Sequence, residues 1–309
     1  MQIYELSKTN LDLSLAEAEA QAGKGELFGE MLISQAYDFS RLAFAKASYG
    51  LIFRCPSHEL LSRIEKHDWD RIIKGPFCVR THVLPEREII SRIWRSMEAP
   101  SVDLSEPASC IHFFEREGTV LCGMLIGEAD KGILRRRAHL RPSLHPTSLD
   151  PRLARAMVNL TGLRKGMICD PFCGSGGILI EAGILGFSTF GSDLEPDMVD
   201  RCRKNIAHYD VRSSLEVKDA LCLSGRYDAI VTDLPYGKNS KGRELDILYQ
   251  NFLRKARQAA PIIVLGHQEG REPDLTGYNV HHRFRLYVHR SMSRIILVLS
   301  PDDSPCDRE

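Results

Sequence analysis

The chain is 309 residues long, 43% apolar and 27% charged, an ordinary globular composition with room for one large or two modest domains. Its 41 basic and 41 acidic residues cancel, which excludes a whole-molecule field that draws in nucleic acid and leaves any such affinity to local patches. No apolar run reaches the length of a membrane span, and Met1-Gln2-Ile3-Tyr4-Glu5 lacks the basic-then-apolar layout of an export signal, so a cytoplasmic location is expected.

Taken in order, Ile3 to Leu6 predicts a short strand and Leu13 to Gln21 a helix opened by Ser14, with Glu17 in the capping-box position. Leu27 to Gln35 is apolar enough for a strand, and Asp38 to Ala45 carries apolar residues at helical spacing. These close a small α+β unit near Gly50. A second unit follows, with a strand from Gly50 to Cys55 and a helix from Ser57 to Glu65. Pro76 to Val83 alternates like a half-buried strand with Arg80 and His82 on one face. Ile111 to Arg116 and Thr119 to Ile126 read as a hairpin around Glu117-Gly118. Gly127 to Arg141, with two glycines, a basic run and little periodicity, reads as a linker.

Beyond it, Arg152 to Leu160 is an amphipathic helix with Pro151 suited to its first turn and Gly162 just past its end. Strand and helix signals then alternate. Strands are expected at Met167 to Asp170, Thr189 to Asp193, Leu215 to Asp219, Ala229 to Asp233 and Ile262 to Leu265; helices near Gly176 to Leu185, Asp197 to His208 and Ile247 to Ala259. That order predicts an α/β, doubly wound, mainly parallel sheet. Val280 to Val288 and Ser293 to Leu299 close it as an antiparallel hairpin, with a tail from Pro301. None of the nine cysteines has a CxxC partner, so reduced thiols in the core are expected, and no metal.

Several of these strands end in aspartate, and the C-terminal ends of parallel strands share one edge. Asp170-Pro171-Phe172-Cys173-Gly174-Ser175-Gly176-Gly177 is a glycine-rich strand-to-helix turn, where the backbone can approach a ligand and a helix N-terminus favours an anionic group. Asp193, about twenty residues on, is placed for ribose hydroxyls. Asp219 is placed for an adenine amine. An adenosine with a carboxylate and no phosphates fits this set best, namely S-adenosyl-L-methionine. Asp233-Leu234-Pro235-Tyr236-Gly237 reads as a clamp for a planar amine: the Asp233 carboxylate and Leu234 carbonyl accept its N–H groups, Pro235 keeps Leu234 extended, and Tyr236 stacks on the ring.

Asp170 to Gly177, Gly191-Ser192-Asp193, Lys218-Asp219-Ala220 and Asp233 to Gly237 resemble the successive motifs of class I (Rossmann-like) amino-methyltransferases. His145-Pro146-Thr147-Ser148-Leu149 and Ala154 to Leu160 resemble the branch that methylates guanine N2 in tRNA. Phe77-Cys78-Val79-Arg80, Val102 to Pro107 and the following hairpin resemble the THUMP domain of RNA-modifying enzymes. The family implied is the archaeal tRNA (guanine(10)-N2)-dimethyltransferase type. The resemblance implies a ferredoxin-like unit at 1–50, a THUMP-like RNA-binding domain at 51–127, a basic linker at 128–143, the methyltransferase domain at 144–300 and a tail at 301–309. It also implies that His145, Thr147, Pro171, Cys173, Gly174, Gly176, Leu194 and Ala220 join Asp170, Asp193 and Asp219 in holding the cofactor, and that Arg80, Arg135, Arg136 and Arg137 meet the tRNA. A monomer is expected. The chain departs from the family in carrying Leu234 where proline is usual, which puts the second methylation in question.

Other readings of the same motifs are a guanine-N2 enzyme acting at tRNA position 6 or on rRNA, and a glutamine methyltransferase, whose clamp normally starts with Asn rather than Asp233. From another class comes a noncatalytic RNA-binding protein that kept the fold.

Overall fold

Ile3, Tyr4 and Leu6 are fully buried because the strand they form, β1 (Gln2–Leu6), lies inside a sheet and is paired on both sides. The computed structural model describes every residue except 146–147, 237–241, 290–291 and 303–309. The chain forms two compact units, Met1–Ser40 with Ala45–Ala129, and Arg41–Phe44 with Asp130–Glu309.

In the first unit β1 is followed by α1 (Leu11–Ala22), β2 (Glu26–Phe28), β3 (Met31–Ser34), β4 (Ala45–Pro56), α2 (Leu60–Glu65), β5 (Phe77–Thr81), α3 (Glu86–Arg95), β6 (Ser109–Arg116) and β7 (Thr119–Glu128). Among the described residues these strands make one seven-stranded sheet in the order β2-β3-β1-β4-β7-β6-β5. β4 passes through residue 50, so one hydrogen-bonded ladder joins the segments expected as separate units at 1–50 and 51–127.

Three local expectations differ from the structure, and one helix was not expected. α1 starts at Leu11, and Ser14 is not its cap: its hydroxyl lies inside the helix and donates to Asn10 O at 2.8 Å. The run from Leu27 breaks into β2 and β3, which pair across a turn with Gly29 at φ +65°. Asp38 to Ala45 is a single 3-10 turn, Phe39–Arg41, leading into β4; its apolar residues are buried by tertiary packing without continuing a helix. α3 was not expected, although Ile89 and Ile93 are fully buried four residues apart, with Glu86 and Glu88 in its first turn and Arg92 and Arg95 in its last.

The second unit contains α4 (Pro151–Asn159), β8 (Met167–Asp170), α5 (Gly177–Ile184), β9 (Ser188–Asp193), α6 (Pro196–His208), β10 (Ser214–Val217), β11 (Ala229–Asp233), α7 (Gly242–Ala259), β12 (Ile263–Gln268), β13 (Tyr278–His289) and β14 (Met292–Pro301). Its strand order is β10-β9-β8-β11-β12-β14-β13, with the first five parallel and the closing pair antiparallel. The mainly parallel, doubly wound α/β architecture expected from the alternation is therefore present. The chain winds outward from β8 through β9 to β10, then returns to β11 and β12 on the other side. The crevice of this fold opens at that reversal, between β8 and β11, which end in Asp170 and Asp233.

Leu245, Tyr249, Phe252, Leu253 and Ala256 recur on one face of α7 and are buried in the cluster that backs β11 and β12. Full burial of each large side chain contributes about 1.5–3 kcal/mol before conformational entropy is counted. Ile247, expected to open this helix, is 51% exposed on the opposite face. Pro301, expected to start the tail, pairs with Tyr278 inside the final hairpin, because β14 runs two residues further than its apolar pattern. Among the described residues no helix is long and apolar enough to cross a membrane.

Candidate active site

The turn after β8 is held by contacts from several elements. Gly174 and Gly176 adopt φ of +50° and +88°, conformations that favour glycine. A Cβ on Gly176 would lie 2.7 Å from Cys202 Sγ, so this glycine serves the packing of α6 and does not line the ligand cavity. Asn205 of α6, fully buried, donates to Ser175 O at 2.9 Å and to Ser143 O at 3.0 Å. Ser148 and Ser175 share a 2.7 Å hydroxyl contact. These bonds tie the segment before α4 to the glycine turn and place His145 at the rim of the same cavity.

That cavity has a volume of about 460 Å³ and lies over the C-terminal ends of β8, β9 and β11. Asp170, Pro171, Cys173, Gly174, Asp193, Leu194, Asp219 and Ala220, all expected at the cofactor, line it together with His145. Each aspartate also serves the backbone. Asp170 Oδ1 accepts from Thr232 Oγ1 at 2.7 Å and from Phe172 N at 3.2 Å. Asp193 accepts from Gly174 N at 2.9 Å and Glu195 N at 3.0 Å, and Asp219 caps a 3-10 turn by accepting from Leu221 N at 2.8 Å. Burial pushes the Asp170 carboxyl up to about 7 against the lowering effect of those donors, and the neighbouring Asp193 and Asp233 add to the rise.

The acceptor end of the cavity is built around Asp233. Its carboxylate Oδ1 accepts from the Tyr236 hydroxyl, and Oδ2 from Arg294 Nη2 at 3.1 Å. Arg294 Nε donates to the same tyrosine oxygen at 2.6 Å, and its guanidinium lies over the Tyr236 ring at 5.3 Å. Burial raises the Asp233 carboxyl above its ordinary range, while Arg294 and then Tyr236 pull it back. Tyr236, expected to present its ring to a base, is here joined to Asp233 through its hydroxyl and covered by Arg294. Leu234 spends its N–H on Gly266 O at 2.8 Å, extending the β11–β12 ladder by one bond that proline could not make, and buries its side chain in the core. The Pro235 carbonyl is fixed by the Tyr249 hydroxyl of α7 at 2.7 Å.

Residues 138–269 match the UPF0020 family, described as an RMKL-like methyltransferase domain. The chain is 32% identical over 284 residues to the tRNA (guanine(10)-N2)-dimethyltransferase of Methanothermobacter thermautotrophicus, covering 84% of this chain and 83% of that protein. The enzyme of the same name from Pyrococcus abyssi is 31% identical over 288 residues, covering 84% and 85%. The chain belongs to the tRNA (guanine(10)-N2)-dimethyltransferase family. The fold is also that of TrmN from Thermus thermophilus, with a TM-score of 0.51 and 23% identity over 97% of this chain and 99% of that one.

As a member of this family the chain is a methyltransferase, and S-adenosylmethionine is its methyl donor. The residues present suit that group. A ring of carboxylates faces a cavity large enough for a nucleoside, and Leu194, 68% exposed at its wall, offers an apolar surface to a flat base. Thr147, also expected there, and Gly237 of the clamp lie outside the described residues.

The arginines expected at RNA divide. Arg135 and Arg137 are exposed, and Arg80 is half-exposed with Nη2 on Leu104 O at 3.3 Å. Arg136 is corrected: it binds the fully buried Glu181 at 2.6 Å, where Arg155 also binds at 3.0 Å, so its charge neutralises α5 from within instead of facing a phosphate. The expected linker thus contributes buried structure to the second unit. Arg294, Tyr249 and Gly266 were missed as site residues. Only the basic character of His281 to Arg294 hinted at the first, and no local signal marked the other two.

Proposed function

We propose that this chain transfers methyl groups from S-adenosylmethionine to N2 of guanosine in tRNA, at position 10. The observation that carries the reading is the placement of a partly buried carboxylate, Asp233, at the end of the same cavity whose other aspartates suit the cofactor. The bound cofactor supplies an already activated methyl group. The protein's task is to orient a poor nucleophile, an exocyclic amine whose lone pair is shared with the base ring. Asp233 accepts N–H from the amine and Leu234 O accepts the second, which holds the amine so that its lone pair, perpendicular to the base plane, faces the methyl donor. The turn bearing them is held rigid by Tyr249 and Gly266, so positioning and electrostatics do most of the work. The proton leaves the methylated amine readily, and Asp233 need not be a strong base.

A guanine within a helical stem must be flipped out to reach Asp233, which costs a few kcal/mol and requires contacts elsewhere on the RNA. The proposal assigns those contacts to the first unit, taken as THUMP-like and holding the acceptor end of tRNA through residues such as Arg80, and to exposed Arg135 and Arg137. It takes the protein as a cytoplasmic monomer. Unmodified tRNA transcripts incubated with labelled cofactor, followed by mass mapping, are expected to show N2-methylated guanosine at position 10. Product at another position would overturn the position alone; no product on any RNA would overturn the substrate class.

A further inference from the structure

Guanine presents along its base-pairing edge an acceptor, O6, then two donors, N1–H and N2–H. Cytosine answers it with a donor followed by two acceptors. Arg294 and Asp233 hold such groups side by side: one Nη2 hydrogen of Arg294 is donated to Asp233 Oδ2 at 3.1 Å, and the second hydrogen of that nitrogen is the donor a base can meet, beside a carboxylate whose two oxygens are spaced to take adjacent N–H groups. We propose that Arg294 is the residue that selects guanine, donating to O6 while Asp233 accepts N1–H and N2–H. This rests on the guanine-N2 reading above and adds to it the means by which adenine is refused.

The placement suits such a reader. Arg294 lies on β14, beside β12, where Gln268 is its register partner. It is 8% exposed, and its Nε contact with Tyr236 fixes the plane of the guanidinium. Each carboxylate oxygen has two lone-pair sites, so the base N–H groups can be accepted beside the existing bonds or in their place. Adenine would bring its N6 hydrogens against the guanidinium and its N1 lone pair against the carboxylate, so donor would face donor and acceptor would face acceptor. Sites built on such bonds reject the analogue that cannot make them by factors on the order of 10⁴.

A merely structural role for Arg294, holding Asp233 in place, makes a different prediction, and a four-way comparison separates the two. The mapped target nucleotide in a tRNA transcript is replaced with 2-aminopurine, which keeps the N2 amine but has only hydrogen at C6, and transfer is measured with wild type and R294M. Wild type is expected to prefer guanine by at least about 100-fold, and R294M to reduce that preference by about 10-fold or more, chiefly through slower transfer to guanine. The difference at N1 is common to both enzymes and cancels. Calorimetric cofactor binding confirms that R294M is folded, and R294K, which keeps one charged donor, is expected to restore part of the preference. Equal losses on both bases in R294M would assign Arg294 to holding Asp233 and overturn the proposal. Parity between the bases in wild type would overturn it without any variant. Absence of wild-type transfer to guanine would instead bring down the functional reading beneath it.

Discussion

Gly266→Ala tests how tightly the acceptor site is built. Gly266 is the parallel-register partner of Asp233, and a Cβ added there would overlap Asp233 Oδ1, with Ile296 Cδ1 at 3.3 Å closing the other side. The backbone at Gly266 does not have a positive φ, so alanine is accepted locally and the strain falls on the carboxylate. Relief of that overlap moves the Asp233 carboxylate by roughly an ångström, and misplacement on that scale costs about 100-fold in rate, or about 2.7 kcal/mol of transition-state stabilisation. Bonds from Tyr236 and Arg294 weaken as well, for about 1–3 kcal/mol, partly offset by about 0.4–1 kcal/mol from the stiffer unfolded chain. The expected result is turnover down about 100-fold, with the cofactor dissociation constant within a few fold and a melting temperature lower by a few degrees. Initial rates with labelled cofactor, calorimetry and thermal melts give the three numbers. G266A turning over within a few fold of wild type would show that Asp233 need not sit where the structure places it, and the positioning mechanism would fall.

Other perturbations follow from the same geometry. Asp233→Ala is expected to abolish methyl transfer while leaving cofactor binding within a few fold; near-normal turnover would end its assigned role. Because Asp170 is raised to about 7, a cationic ligand in the cavity favours its ionised form. Below about 7 binding should then release a proton, and affinity should increase as pH rises toward about 7 and level off above it, as read by calorimetry in buffers of different ionisation enthalpy. D170N should flatten that dependence, and an unchanged slope would assign it to another group. Glu181→Ala leaves Arg136 and Arg155 buried without their carboxylate, at a cost of about 3–5 kcal/mol and roughly 10 °C in melting temperature. A melt shifted by less than about 2 °C would mean the pair is solvated.

Much of the catalytic framework was legible because its signals are local. The apolar runs Met167 to Asp170 and Ala229 to Asp233 are strands with those bounds, and an aspartate ending such a run must lie on the ligand edge of a parallel sheet. The glycine turn announced itself by composition, and its φ angles agree. Weaker patterns misled: the apolar spacing from Asp38 to Ala45 matched a helix, yet tertiary packing buries those residues around a turn and the start of a strand. Arg136 looked like part of a basic surface run because its partner, Glu181, is 45 residues away.

The chain order and the chemistry of single residues determined the sheet, the cavity and the carboxylates that face it. Tertiary structure alone decided what those carboxylates meet. Arg294 follows Asp233 by 61 residues and reaches it only because β14 lies antiparallel beside β12, while Gly266 leaves room for Asp233 only through the parallel register of β11 and β12. Periodicity and turn chemistry act over a few residues. Strand pairing brings distant positions together, and the group beside Asp233 is a product of that pairing.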